Sequence, residues 1–347
     1  MTAASSGEVL LSVRGLRTSF RMGHGGEVTA VDGVSFDVRR GEVYAIVGES
    51  GSGKSVTAMS IMGLLPDSAR VEGEGVLWKG ENLLAADDGR MRRLRGKEIA
   101  MIFQDPLTAL NPVHTVGRQI GEMLRIHENA NRRSARARAI ELLDLVGIPN
   151  ASERANMHPH EFSGGMRQRA MIAMAIACGP DLLIADEPTT ALDVTVQAQV
   201  FEVLMRIKKE IDSAMILITH DLGVVAGIAD RVMVMYGGRE VEVGMTDDIY
   251  YRSRHPYTLG LLASLPRLDD VGTEHLRPIP GSPPSLVNRP PGCAFHPRCA
   301  FVDLQGPCVE TRTELVSVGL GHWSACHRRE DLEGVTVATV RAGDGNG

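Results

Sequence analysis

The octapeptide Gly48-Glu49-Ser50-Gly51-Ser52-Gly53-Lys54-Ser55 comes directly after the apolar run Val43-Tyr44-Ala45-Ile46-Val47. Few segments leave a polypeptide so little choice of architecture. The apolar run reads as a buried strand, and the glycines after it read as a loop opening into a helix. Within that loop Gly48, Gly51 and Gly53 let the backbone curl until consecutive N–H groups, with Ser50 and Ser52 among the binding residues, point inward at phosphate oxygens. Lys54 then reaches the β- and γ-phosphates, and the Ser55 hydroxyl is a ligand for Mg²⁺. The helix beginning near Lys54 brings the positive end of its dipole to the same spot. A motif this short arises by chance, so the reading stands on residues further along the chain.

Four signals there support it. Leu182-Leu183-Ile184-Ala185 reads as a second buried strand, and Asp186-Glu187 emerges at its C-terminal end, where open parallel sheets place their ligands. Asp186 suits Mg²⁺ held through a water, and Glu187 suits the general base that polarises the attacking water. His220 closes a third apolar run, Met215-Ile216-Leu217-Ile218-Thr219, and Gln104 closes a fourth, Ile99-Ala100-Met101-Ile102-Phe103. Alone, each polar residue reads as a solvated strand end. At the ends of parallel strands, His220 is placed to meet the γ-phosphate and Gln104 to meet Mg²⁺ or the water. Ser163-Gly164-Gly165, after Phe162 and before an apolar helix from Ala170 to Cys178, exposes a hydroxyl and N–H groups to an anion.

The phosphate loop, Gln104, Ser163-Gly164-Gly165, Asp186-Glu187, the Ala191-Leu192-Asp193 loop and His220 come in this order, and over roughly residues 8–250 the chain resembles the nucleotide-binding subunit of an ATP-binding-cassette (ABC) transporter. The resemblance implies an α/β fold: a P-loop NTPase cassette with a parallel-sheet core, an antiparallel β subdomain and an inserted helical subdomain. It assigns Phe20 to stacking on adenine, against the plain alternative of a core aromatic. It also implies that two cassettes face head to tail. Lys54, Ser55, Gln104, Asp186, Glu187 and His220 would act on ATP bound in cis, while Ser163 and Gly165 complete the partner's site.

A narrower resemblance comes from His255-Pro256-Tyr257-Thr258, from Cys293-Ala294-Phe295-His296-Pro297-Arg298-Cys299, and from Met157 to Arg169 around the Ser-Gly-Gly signature. These are similar to the D-type ATPase subunit of dipeptide/oligopeptide importers, in which Phe162 and Met166 replace the Leu and Gln of the wider family. The implied partners are a sister ATPase subunit, two membrane permeases and an extracytoplasmic substrate-binding protein. The implied place is peripheral, on the cytoplasmic face of the membrane. A nickel, glutathione or haem importer of the same family is the alternative, because the ATPase never touches the cargo. A non-transport ABC ATPase is a distant one: the loop and signature lie too close for a coiled-coil insertion, and no second phosphate loop is present.

A net charge of −6 and an aromatic content of 4% argue against a nucleic-acid surface. The Arg132–Arg138 stretch reads as a solvated helix face. No apolar run approaches a membrane span, and Met1–Glu8 does not read as a signal peptide. The expected organisation is a cassette over 8–255, with its helical subdomain at 105–169, then a small C-terminal extension over 256–333. Prolines between Pro278 and Pro291 mark a stiff connector within that extension, and a disordered tail is expected over 334–347.

Of five cysteines, Cys178 lies on the apolar helix and reads as core, while Cys293, Cys299, Cys308 and Cys326 crowd the extension. Thiols clustered in an intracellular chain point to metal. Four of them without a CxxC pair suit an iron–sulfur cluster better than structural zinc. The resemblance points to a [4Fe–4S] cluster as well. Zinc, with His296, His322 or His327 nearby, and no metal at all are the alternatives. The expected cofactors are therefore ATP, Mg²⁺ and a [4Fe–4S] cluster, with Zn²⁺ second.

Overall fold

The computed structural model describes residues 7–23, 26–190, 193–265 and 279–339. The chain opens with β1 (Val9–Arg21), β2 (Glu27–Arg39), β3 (Val43–Val47), α1 (Lys54–Met62), β4 (Ala69–Glu72), β5 (Gly75–Trp78) and β6 (Glu81–Asn82). Next come α2 (Asp88–Leu94), β7 (Ile99–Ile102), α3 (Pro106–Ala109), α4 (Val116–His127), α5 (Arg132–Leu145), α6 (Ala151–Arg154) and α7 (Gly164–Ala175). After them lie β8 (Leu182–Asp186), α8 (Val194–Glu210), β9 (Ala214–Thr219), α9 (Leu222–Ile228), β10 (Arg231–Tyr236) and β11 (Arg239–Met245). The described C-terminal part adds α10 (Thr246–Tyr251), α11 (Pro256–Ala263), α12 (Pro307–Glu310), β12 (Val316–Gly319) and β13 (His322–Ser324). No described helix is long and apolar enough to cross a membrane.

The chain falls into two compact units. One comprises Met1–Ser12, Asp37–Val43 and Leu77–Ile218. Its centre is the parallel run β7–β8–β9, in register Ile99↔Leu182 and Leu182↔Ala214. Every residue of the three strands is buried, which is why they read as continuous apolar runs and do not alternate. Helices α4, α5 and α7 pack on one another. Helix α5 turns Ala135, Ala139, Leu142 and Leu143 inward while Arg132, Arg133, Arg136 and Arg138 stay exposed, so the arginine stretch is a solvated face. Its first turn is capped by the Asn131 side chain, which accepts from the Arg133 and Ser134 N–H groups.

The second unit comprises Val13–Phe36, Tyr44–Val76 and Thr219–Gly347. Here β10 runs parallel to β3, with Arg231 opposite Tyr44 and Val234 opposite Val47. Strand β11 returns antiparallel to β10. The C-terminal hairpin β12–β13 then extends that edge, with Glu242 of β11 opposite Ser324 of β13. The strands of this hairpin are only four and three residues long, and no apolar run in the sequence marks them. Glu242 is fully buried and fastens the hairpin, accepting from Ser253 Oγ at 2.8 Å and meeting His322 Nε2 at 2.9 Å. The N-terminal strands are thirteen residues each, and each runs unbroken through a glycine of positive φ, Gly15 at 58° in β1 and Gly33 at 87° in β2.

Candidate functional site

In the second unit β3 is buried throughout and delivers the chain into the glycine loop. Gly53 caps α1 in the left-handed region at φ 102°, and a Cβ there would stand 2.6 Å from the Ala30 carbonyl oxygen. No other residue fits both conditions. Lys54 is buried, and its Nζ donates to the Gly48 carbonyl at 2.8 Å and the Glu49 carbonyl at 3.0 Å, so the ammonium is folded back over the loop. Ser55 occupies the first turn of α1. The Gly238 N–H, from the β10–β11 turn, donates to the Ser52 carbonyl at 2.9 Å and braces the loop from outside. Phe20 is half-buried near the end of β1, opposite Ala69 of β4. Its strand is joined to α1 by the Thr18–Ser60 hydroxyl contact at 2.7 Å.

In the first unit Asp186 ends β8 almost wholly buried, and β9 runs beside it with Ile218 opposite Asp186. Glu187 takes φ 45°, in the left-handed region that non-glycine residues hold uncommonly. Its N–H donates to the Ile218 carbonyl at 2.9 Å, fixing the turn. Its carboxylate Oε2 accepts from Gln104 Nε2 at 3.1 Å and from Thr190 Oγ1 at 2.9 Å. Two residues picked from distant strand ends, Gln104 and Glu187, therefore share a hydrogen bond. Thr190 joins them with no sequence signal beyond its place three residues after Glu187. His220 comes directly after β9 and is exposed.

The Ser163-Gly164-Gly165 segment opens α7. The exposed Ser163 hydroxyl caps the helix weakly, accepting from the Met166 N–H at 3.4 Å. A Cβ at Gly165 would lie 2.8 Å from Val196 Cγ1 of α8, so that position must be glycine for α7 and α8 to approach. Phe162 is buried under the turn, and Arg169 ties α7 to the Gly147 carbonyl and to Gln199. Asp193 caps α8 by accepting from the Val196 N–H at 3.0 Å. Ala191 and Leu192 of the same loop, Pro278 of the connector and 340–347 of the expected tail lie outside the described residues.

The sequence matches the ABC transporter family over residues 31–190 and the oligopeptide/dipeptide transporter C-terminal region over residues 241–305. It is 57% identical over 293 residues to the dipeptide transport ATP-binding protein DppD of Bacillus subtilis, a match spanning 84% of this chain and 87% of that one. The chain belongs to the oligopeptide/dipeptide ABC transporter family of ATP-binding subunits. The oligopeptide transport ATP-binding protein OppD of the same organism is 56% identical over 293 residues, covering 84% of this chain and 82% of that protein. Among solved structures, an ATP-binding cassette captured as a dimer after hydrolysis, with ADP and Pi, is similar at TM-score 0.61 and 26% identity, over 68% of this chain and 98% of that one. The fold is an ABC ATPase cassette, and the subunit is an ATPase.

The expected iron–sulfur cluster is overturned, and the zinc alternative with it. Cys293, Cys299, Cys308 and Cys326 do line one cavity, together with His255, Phe295 and Phe301, but its volume is about 10 Å³, room for one water molecule at most. Among the described residues no group of three or more His, Cys, Asp or Glu is placed to hold a metal ion. Burial pushes the Cys293 thiol up, Cys299 to about 11 and Cys326 to about 12, so these three are neutral thiols at physiological pH. Cys326 packs with Leu259 and Leu332 as a small apolar side chain. Cys178 lies beyond the end of α7, half-buried, its thiol raised to about 11 by burial.

Proposed function

We propose that this ATPase powers the import of dipeptides or oligopeptides through membrane permease subunits. The observation that carries the reading is the match of residues 241–305 to the C-terminal region of oligopeptide/dipeptide transporters. It is supported by the strong likeness to proteins named for dipeptide and oligopeptide transport. Two cassettes, this one and a sister subunit, would close on ATP head to tail. In cis, Gly48, Ser50, Gly51, Ser52 and Gly53 present backbone N–H groups to the phosphates, Lys54 neutralises charge on them, and Phe20 stacks on adenine. Ser55, Asp186 and Gln104 are oxygen donors of the kind that Mg²⁺ prefers, and the ion would neutralise charge on the β- and γ-phosphates. Glu187 takes a proton from the attacking water while Gln104 holds its carboxylate in place, and His220 contacts the γ-phosphate. Ser163, Gly164 and Gly165 complete the sister's site, and Asp193 lies in the loop that lines the shared face.

The domain division that goes with this reading is a cassette over 8–255, a helical subdomain over 105–169 that meets a permease, and an extension over 256–333. The complete machine would contain a sister ATPase, two permeases and an external substrate-binding protein. Its ATPases would sit peripherally on the cytoplasmic face. Closure that depends on the γ-phosphate, and reopening after hydrolysis, would convert nucleotide state into permease motion. The test is uptake of a labelled dipeptide and a labelled hexapeptide by vesicles holding the full complex, with ATP inside the ATPase compartment. ATP-dependent accumulation of either supports the reading. ATP hydrolysis with uptake of neither, but of a chelated metal or haem, would replace the cargo.

A further inference from the structure

We propose that Arg298 of the C-terminal region is a positioning residue for the phosphate loop. It neutralises Glu49 and, with Tyr257, holds the loop in the shape that receives ATP. The inference rests on the ATP-binding reading and extends it to residues far outside the cassette motifs.

Glu49 is the second residue of the loop and a chemical anomaly there. A carboxylate beside a bound triphosphate repels it unless a cation answers the charge. The Arg298 guanidinium does so in bidentate fashion, Nη1 donating to Oε2 at 2.6 Å and Nη2 to Oε1 at 3.0 Å. The arginine side chain is 5% exposed and that of Glu49 26%, so the carboxylate still faces solvent and salt on one side. The remaining donors are satisfied locally: Nε by the Pro280 carbonyl at 2.8 Å, Nη2 also by the Ile279 carbonyl at 3.2 Å. Nη1 further reaches the Tyr236 hydroxyl at 3.3 Å. The guanidinium is therefore fixed before any nucleotide arrives.

The backbone of Glu49 is held as well. Its N–H donates to the Tyr257 hydroxyl at 2.8 Å, from α11. Tyr257 is fully buried, and its ring packs against Tyr236 and Phe295 with centroids 4.5 and 5.3 Å away. Phe295, three residues before Arg298, wedges edge-on against Tyr236 at 5.2 Å. One aromatic cluster thus sets both groups that grip Glu49. The Glu49 carbonyl in turn accepts from Lys54 Nζ, so the shoulder gripped from outside is the one on which the phosphate-reaching lysine rests. A loop held this way loses less freedom when ATP binds, which is how preorganisation becomes affinity.

The test is titration of the full chain with a fluorescent ATP analogue and Mg²⁺ at about 0.05 and about 1 M salt. Arg298→Ala should weaken binding about tenfold at low salt, because truncating one member of a partly buried charge pair strands the other beside the phosphates. The deficit should shrink severalfold at about 1 M salt, where the screening length is about 3 Å. Arg298→Ala combined with Glu49→Gln should recover most of the loss, since no stranded charge remains. If Arg298→Ala does not fold by circular dichroism, Arg298→Gln, which keeps donors but no charge, is read against the same criteria. Unchanged affinity, a deficit indifferent to salt, or a double variant no tighter than the single would overturn the positioning role. If the unsubstituted chain binds no analogue, the ATP-binding reading falls and this inference with it; unchanged binding in Arg298→Ala alone leaves that reading intact.

Discussion

Replacing His255 by asparagine should strip the C-terminal region of most of its sensitivity to mild acid. His255 is 1% exposed, and burial alone drives its imidazole down from an ordinary 6.5 to about 3. Its Nδ1 accepts from the Tyr257 N–H at 3.1 Å and so caps α11, while Nε2 has no hydrogen-bond partner among the described residues. The folded ring therefore stays neutral where the unfolded one takes up a proton. As pH falls below 6.5 the open state binds a proton that the closed state refuses, and stability is lost progressively until pH reaches about 3. At about pH 5 the loss is about 2 kcal/mol, because the open-state ring gains about 1.5 units of protonation free energy at about 1.4 kcal/mol each. Asparagine is a good N-cap and does not titrate, so the helix start survives the substitution. Hydrogen exchange of Pro256–Ala263, corrected for intrinsic rates, reads the local opening directly. Opening in the unsubstituted chain should rise roughly 20–30-fold between about pH 7 and about pH 5, and less than about threefold in His255→Asn. Equal pH dependence in the two would refute the reasoning.

Three further substitutions probe other parts of the chain. Lys54→Ala should abolish photo-crosslinking of ATP to this subunit's own loop, whereas Ser163→Arg should spare it and impair crosslinking to the sister subunit; equal loss at both loops from either change would contradict the head-to-tail arrangement. Burial of its carboxyl group raises Glu240 from 4.5 to about 8, although the residue as a whole is half-buried, and its Oε1 accepts from the Ser35 N–H at 2.7 Å. Its folded form keeps a proton that the unfolded chain releases earlier, so that share of stability is present below 4.5 and lost as pH rises through about 8. Glu240→Gln should therefore flatten the fall in thermal midpoint between about pH 6 and about pH 8.5, and parallel curves would count against it.

What the sequence made legible was whatever depends on short spacing. The runs ending at Val47, Ile102, Asp186 and Thr219 are buried strands because nearly every residue in them is apolar, and the polar candidate residues end or follow them. Gly165 acquires its meaning from a neighbour in space, Val196 of α8, which no spacing rule announces, whereas Asp193 caps α8 through the N–H three residues on, as a helix-start aspartate should. Arg298 meets Glu49 across 249 residues, and nothing local to either marks the pair. The cysteines misled for the same reason. Four thiols in one stretch share a cavity, but spacing says nothing about its size, and this one is filled by Phe295, Phe301 and the thiols themselves.

The central claim is that Glu187, held by Gln104 and Thr190 in its turn after β8, drives ATP hydrolysis in this subunit. Its most direct test is steady-state ATP turnover by the assembled complex carrying Glu187→Gln, with the sister site disabled so that this site alone reports. Glutamine keeps the acceptor for Thr190 and the shape of the turn but cannot take a proton. Turnover should fall on the order of 10²–10⁴-fold while MgATP remains bound in a closed complex. Hydrolysis near the unsubstituted rate would contradict the account.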